Sequence, residues 1–139
     1  MPLPALFICL IVGVTDGDTL TARCDQQTVK IRLAEIDAPE KAQPFGARSK
    51  EHLSDLCFDV EAEVYPQTTD RYGRTVARVT CDGVDARAEQ VRSGMAWVYD
   101  RYVTDKTLYA VQEEAKADRR GIWHDDKPMP PWEWRKAKR

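Results

Sequence analysis

Apolar and polar residues alternate along the first third of the chain with the two-residue period of half-buried strands. The run through Val12 and Val14, the segment around Leu20 and Ala22, and the series Val29, Ile31, Leu33 predict three strands between Ala5 and Ile36. Asp16-Gly17 and Asp25-Gln26-Gln27 supply the turns between them. Asp37-Ala38-Pro39 ends the third strand, because proline has no N–H to donate and biases the residue before it. The period then lengthens, and Pro44 to Cys57 reads as a helix with Leu53 and Leu56 on one face.

Alternation returns with Val60, Ala62 and Val64 as a fourth strand. The turn Asp70-Arg71-Tyr72-Gly73-Arg74 leads to a fifth through Val76 and Val79. After the Asp82-Gly83 turn, Asp85 is placed to cap a short helix carrying Ala88 and Val91, which leaves at Gly94. A last helix is expected from Thr104 or Asp105, with Leu108, Val111 and Ala115 inward, ending at Gly121. Five short strands interrupted by a helix after the third make an α+β protein, a five-stranded OB-fold barrel with about three α-helices. Pro128 to Trp134 is expected to lie extended over the body, its tryptophans covering an apolar flank.

Length and composition change this picture little. The 139 residues suit one domain, 42% hydrophobic and 32% charged, without repeats or low-complexity tracts. A net charge of −2 argues against a protein that works by blanketing phosphates with positive charge. It does not argue against an enzyme that must release its product. Acids gather early (Asp16, Asp18, Asp25, Glu35, Asp37, Glu40), whereas Arg135, Lys136, Lys138 and Arg139 crowd the far end, read as a solvated terminus.

The apolar stretch from Leu3 to Val14 is read as the first strand rather than an export signal, since no Lys or Arg precedes it. It is too short to cross a bilayer as a helix. Cys9, Cys24, Cys57 and Cys81 lack C-x-x-C spacing, which disfavours zinc. A hairpin folded at Gly17 would bring Cys9 and Cys24 opposite each other and leave Cys57 to pair with Cys81. Three connectivities remain open, as does the alternative of four buried free thiols. Paired cysteines would imply an oxidising compartment, periplasmic or secreted, with any signal already removed; a cytoplasmic location is the alternative.

Three segments carry candidate chemistry: Asp16-Gly17-Asp18-Thr19, Arg32-Leu33-Ala34-Glu35-Ile36-Asp37-Ala38-Pro39-Glu40, and Asp70-Arg71-Tyr72-Gly73-Arg74. Each alone is an ordinary turn or capping stretch. In a three-strand meander, however, the first turn and the end of the third strand meet at one edge. Asp18 and Asp37 would then converge with Glu40 just beyond, an oxygen-rich set of the kind Ca²⁺ takes. Arg32 and Arg74 offer planar forks for phosphate oxygens. His52 and His124 fall near no motif and are expected to be idle.

Taken together and in this order, with Val91-Arg92-Ser93-Gly94-Met95-Ala96 and Gly121-Ile122-Trp123 following, these segments resemble the staphylococcal nuclease family over roughly residues 8 to 123. The whole chain then reads as one nuclease domain, with a core of about residues 6–123 and a Pro/Trp-rich extension over 124–139. The resemblance implies a calcium-dependent phosphodiesterase acting on DNA and RNA, leaving 3′-phosphate and 5′-hydroxyl ends. It implies one Ca²⁺ on Asp18, Asp37 and the main-chain carbonyl of Ala38, with Glu40 beside it across a water. It implies Arg32 and Arg74 as the phosphate clamp and Glu40 as general base, with Arg71, Tyr72 and Tyr102 at the nucleotide. Asp100 stands where the family has a second stacking tyrosine, for which Tyr99 could substitute. A monomer without membrane or obligate protein partner is the default. The competing reading is a non-catalytic OB-fold module that binds nucleic acid or protein.

Overall fold

A computed structural model describes residues 6–139. The part of the expected first strand between Leu3 and Ala5 lies outside the described residues. β1 (Phe7–Asp16), β2 (Thr19–Cys24) and β3 (Gln27–Leu33) form the antiparallel meander that the alternation predicts. Cys9 and Ile11 of β1, Leu20 and Ala22 of β2, and Ile31 and Leu33 of β3 point into the core, while Val12 points out. A two-residue strand, β4 (Ile36–Asp37), follows at once, and then α1 (Gly46–Cys57). β5 (Glu61–Thr69) pairs with β1, β6 (Thr75–Cys81) pairs with β5, and β6 returns to run parallel to β3. That last pairing closes five strands, in the order β3-β2-β1-β5-β6, into an OB-fold barrel.

β7 (Val84–Asp85) is a short addition to β6, and α2 (Ala86–Arg92) starts from it. Asp85 caps α2 as expected, its side chain accepting from the N–H groups of Arg87 at 3.1 Å and Ala88 at 3.3 Å. β8 (Trp97–Val98) pairs with β4, and α3 (Thr107–Ala117) is followed by a 3-10 turn over Gly121–His124. The last predicted helix is therefore shorter than expected at both ends. Gly94 and Gly121, both at positive φ, let two backbones touch there, and Ile122 N–H donates to the Gly94 carbonyl at 2.9 Å.

The C-terminal stretch departs from expectation. Instead of lying extended, it forms a fourth helix, α4 (Pro131–Ala137). Pro131 sits in the first turn, where a missing N–H costs nothing, and Trp132 packs against Trp97 and Tyr99. The tryptophan does cover an apolar flank, but from a helix. Both disulfides are formed, Cys9–Cys24 and Cys57–Cys81, and no cysteine among the described residues is free.

Candidate active site

The site is built where the β1–β2 turn meets the end of β3. In the turn, Asp18 N–H donates to Asp16 Oδ1 at 3.1 Å, and the Asp18 carbonyl accepts from Leu33 N–H at 2.8 Å. Gly17 is required by close approach: a Cβ there would fall 1.8 Å from Ser49 Oγ and 2.8 Å from the Ala38 methyl. Gln90, fully buried on α2, holds the turn from behind by donating to the Gly17 carbonyl at 2.7 Å. Beyond β3, Glu35 turns the chain at a φ of 71° so that β4 can pair with β8, which sets Asp37 opposite Trp97.

Asp18 and Asp37 are thereby buried, 5% and 1% exposed. Asp18 Oδ2 accepts from Ala38 N–H at 2.7 Å, and its Oδ1 accepts from the Thr19 hydroxyl at 3.0 Å. Arg32 Nη1 donates to the carbonyls of Leu33 and Ile36, both at 2.8 Å, which locks the guanidinium. Its Nη2 then lies 3.5 Å from Asp18 Oδ2 and 3.3 Å from Asp37 Oδ1. On the other side, Arg135 grips both Asp37 oxygens, at 3.1 and 2.7 Å, and reaches Glu40 Oε1 at 2.6 Å. Charges thus alternate along one line: Asp18, Arg32, Asp37, Arg135, Glu40.

Burial governs how these acids titrate. It pushes the Asp37 carboxyl up to about 6, with Asp18 adding to the rise and Arg135 and Arg32 opposing it. Asp16 is pushed up to about 7, by burial first and by the Asp18 charge second. Asp18 is buried too, yet Arg32 and the hydrogen bonds from its neighbours outweigh the burial and hold it below the usual carboxylate value.

Of the residues singled out in the sequence, Asp18, Arg32, Asp37, Ala38 and Glu40 come together here. Arg74 does not join their ion pairs. Its Nε donates to Asp70 Oδ2 at 2.7 Å and its guanidinium lies over the Tyr72 ring. Arg74 lies in the turn just before β6, two residues from the Val76 that pairs with Arg32. Arg71 donates to the Tyr72 hydroxyl at 2.9 Å in the same turn. Tyr72 and Tyr102 are 69% and 55% exposed, and Tyr102 packs edge-on against Tyr99. One face of the Tyr99 ring is covered by Trp132, stacked at 5.3 Å. His52 contacts Gln90, away from the ion pairs.

The residue the sequence reading missed is Arg135, along with the Trp132 anchor that delivers it. A signal was present: Trp132 and Arg135 are one helical turn apart behind paired prolines. Among the described residues, no three acidic, histidine or cysteine side chains gather as a bare metal-binding group. Guanidinium groups stand between the carboxylates instead. The donors are all hard oxygens, which fits a Ca²⁺-type ion, and cationic groups already lie against them.

Comparison with known proteins gives the chain relatives. An "uncharacterized endonuclease" of Haemophilus influenzae is 42% identical over 132 residues, covering 94% of this chain and 74% of that protein. A "micrococcal nuclease" of Shigella flexneri is 39% identical over 138 residues, covering 91% and 79%. An "uncharacterized endonuclease" of Escherichia coli is 42% identical over 129 residues, covering 92% and 84%. A family profile described as staphylococcal nuclease homologue matches residues 30–125, the stretch that holds Arg32, Asp37, Glu40 and Arg74, and the chain belongs to that family.

Proposed function

We propose that this protein is a nuclease that hydrolyses phosphodiester bonds of DNA and also of RNA with the help of one Ca²⁺ ion, leaving 3′-phosphate and 5′-hydroxyl ends. The observation that carries the reading is the alternating line of three carboxylates and two guanidiniums at one edge of the barrel. Acids held this deep are costly to keep charged, as the raised Asp37 carboxyl reflects, and such groups cluster at working sites. The names carried by the relatives point to the same chemistry.

Asp18 and Asp37 would hold the ion through carboxylate oxygens and Ala38 through its main-chain carbonyl, with Glu40 across a water. When bound, the ion supplies positive charge to the scissile phosphate. Arg32, locked by two carbonyls, is preorganised to meet the negative charge on the phosphoryl oxygens in the transition state, and Arg74 would complete the clamp. Glu40 is the least enclosed of the three carboxylates, its side chain 35% exposed, so water can reach it; it takes the proton from the attacking water. Tyr72 and Tyr102 are exposed enough to meet bases once the guanidiniums lying over their rings move aside, and Arg71 offers a charge to the backbone. The two disulfides suit an oxidising compartment, and no described helix is long and apolar enough to cross a membrane.

Plasmid nicking tests the reading directly. Calcium should support cleavage, a chelator should abolish it, and Glu40→Gln should lower the rate about 10²–10⁴-fold while nucleotide binding persists. End-group analysis should find 3′-phosphates. Turnover near wild type in Glu40→Gln would remove Glu40 from the mechanism. Binding of DNA without cleavage at any calcium level would make the chain a non-catalytic module.

A further inference from the structure

α4 is anchored independently of the acids it reaches. Trp132 lies flat on Tyr99, with 4° between the planes, and edge-on to Trp97 at 5.7 Å. The Met129 carbonyl accepts from Gln43 Nε2 at 2.7 Å, and Gln43 Oε1 accepts from Glu40 N–H at 3.1 Å. The helix therefore docks against the same loop that carries Glu40. One turn after Trp132, Arg135 spends both terminal nitrogens on Asp37, Glu40 and the Tyr99 hydroxyl. That leaves neither terminal nitrogen for a phosphate.

We propose that Arg135 is a positioning residue of the active site, which holds the Glu40 carboxylate beside Asp37 and makes the C-terminal helix part of the catalytic unit. This rests on Glu40 as general base, the reading given under Proposed function. A glutamate has a long flexible stem, and Glu40 is partly open to solvent. Among the described residues, its carboxylate has a single hydrogen-bond partner, Arg135. Without it the base would sample several rotamers, few of them beside the phosphate. The planar fork matters, because one guanidinium spans two carboxylates where an ammonium group is a point donor.

The test is a double-mutant cycle on the full chain. Arg135→Gln should lower kcat about 10–100-fold, the usual cost of losing a group that orients a working ligand. KM should stay within about threefold, as expected when substrate contacts are intact. The Arg135→Gln/Glu40→Gln double variant should be no slower than Glu40→Gln alone, and Arg135→Lys should recover part of the loss. Lys136→Gln, on the exposed side of α4, should change nothing. In calcium-free protein, the Tm losses of Arg135→Gln and Glu40→Gln should be less than additive. Should Arg135→Gln fail to fold, Arg135→Met, which keeps an unbranched stem without the guanidinium, takes its place in the cycle with the same expected and overturning outcomes.

An unchanged kcat in Arg135→Gln overturns the proposal. So does a double variant whose losses multiply, or Tm losses that simply add. If Glu40→Gln is crippled and the losses multiply, only Arg135 loses its role and the nuclease reading stands. If Glu40→Gln turns over normally, Glu40 leaves the mechanism and Arg135 loses its role with it, while the nuclease reading stands.

Discussion

Glu35 and Asp37 lie two residues apart and burial raises both carboxyls, yet the two end on opposite sides of their ordinary values. Asp37 is pushed up by burial, which its arginines only partly counter. Burial also acts on Glu35, but the N–H groups of Asp105 and Thr104, the Thr104 hydroxyl and Arg87 outweigh it and hold the carboxyl below its ordinary 4.5. Glu35 is therefore a structural acid that ties the β3–β4 turn to α2 and to the loop before α3. Glu35→Gln should cost about 2–3 kcal/mol, the scale of hydrogen bonds to a charged group. The cost stays below the about 3–5 kcal/mol of a stranded buried ion, because Arg87 keeps Asp85 and Asp105. A carboxyl with a depressed folded-state pKa stabilises fully above its unfolded value, and that contribution drains away as the pH falls through the folded one. Urea unfolding at pH 7 and in acid should thus show the gap between wild type and Glu35→Gln narrowing below about pH 4.5. A gap that does not change with pH would rule out this role for the Glu35 charge.

At the scale of elements, the site depends on helices that never touch its acids. α1 presses Ser49 against Gly17, and α2 sends Gln90 to the Gly17 carbonyl, so the Asp16–Asp18 turn is clamped from two sides. Gln90 reaches the turn only if α2 starts in the right place, and the Asp85 cap sets that start. Asp85→Ala should lower stability by about 1 kcal/mol, the usual value of an N-cap. Asp85→Asn, which keeps an acceptor oxygen but loses the Arg87 ion pair, should recover most of it. Urea midpoints of the two variants decide this. An Asn variant as unstable as the Ala variant would shift the credit from the cap to the ion pair.

Across the whole molecule, the two disulfides do different work. Cys9–Cys24 joins β1 to β2, strands that are already hydrogen-bonded neighbours. Cys57–Cys81 joins the end of α1 to the end of β6, across a loop of 24 residues rather than 15. Chain-entropy arguments give about 3 kcal/mol for loops of this size, slightly more for the longer. Replacing Cys57 and Cys81 with Ala should therefore lower Tm more than replacing Cys9 and Cys24. The reverse order, in non-reducing thermal scans, would mean that the β1–β2 hairpin rather than the α1–β6 link limits stability.

What the sequence determined by itself was local. The two-residue alternation marked five strands and the inward faces of β2, β3 and β5 but not of β1, where Val12 points out; Asp16-Gly17 and Asp70–Arg74 marked turns, Asp85 marked a cap, and three short segments named the acids and arginines at positions 18, 32, 37, 40 and 74. These are legible because propensity and periodicity act over a few residues. The tertiary structure decided which of them meet. β4 and β8 are two residues long, too short to leave a pattern, and exist as strands only because they find each other. α4 forms because Trp132 has an aromatic surface to bury against, which Trp97 of β8 and the adjacent Tyr99 provide only in the folded chain. Arg135 reaches Glu40 across 95 residues of chain, while Arg74, named in the sequence, stays with Asp70. Contacts at that separation are set by barrel closure and helix docking, and no local pattern encodes them.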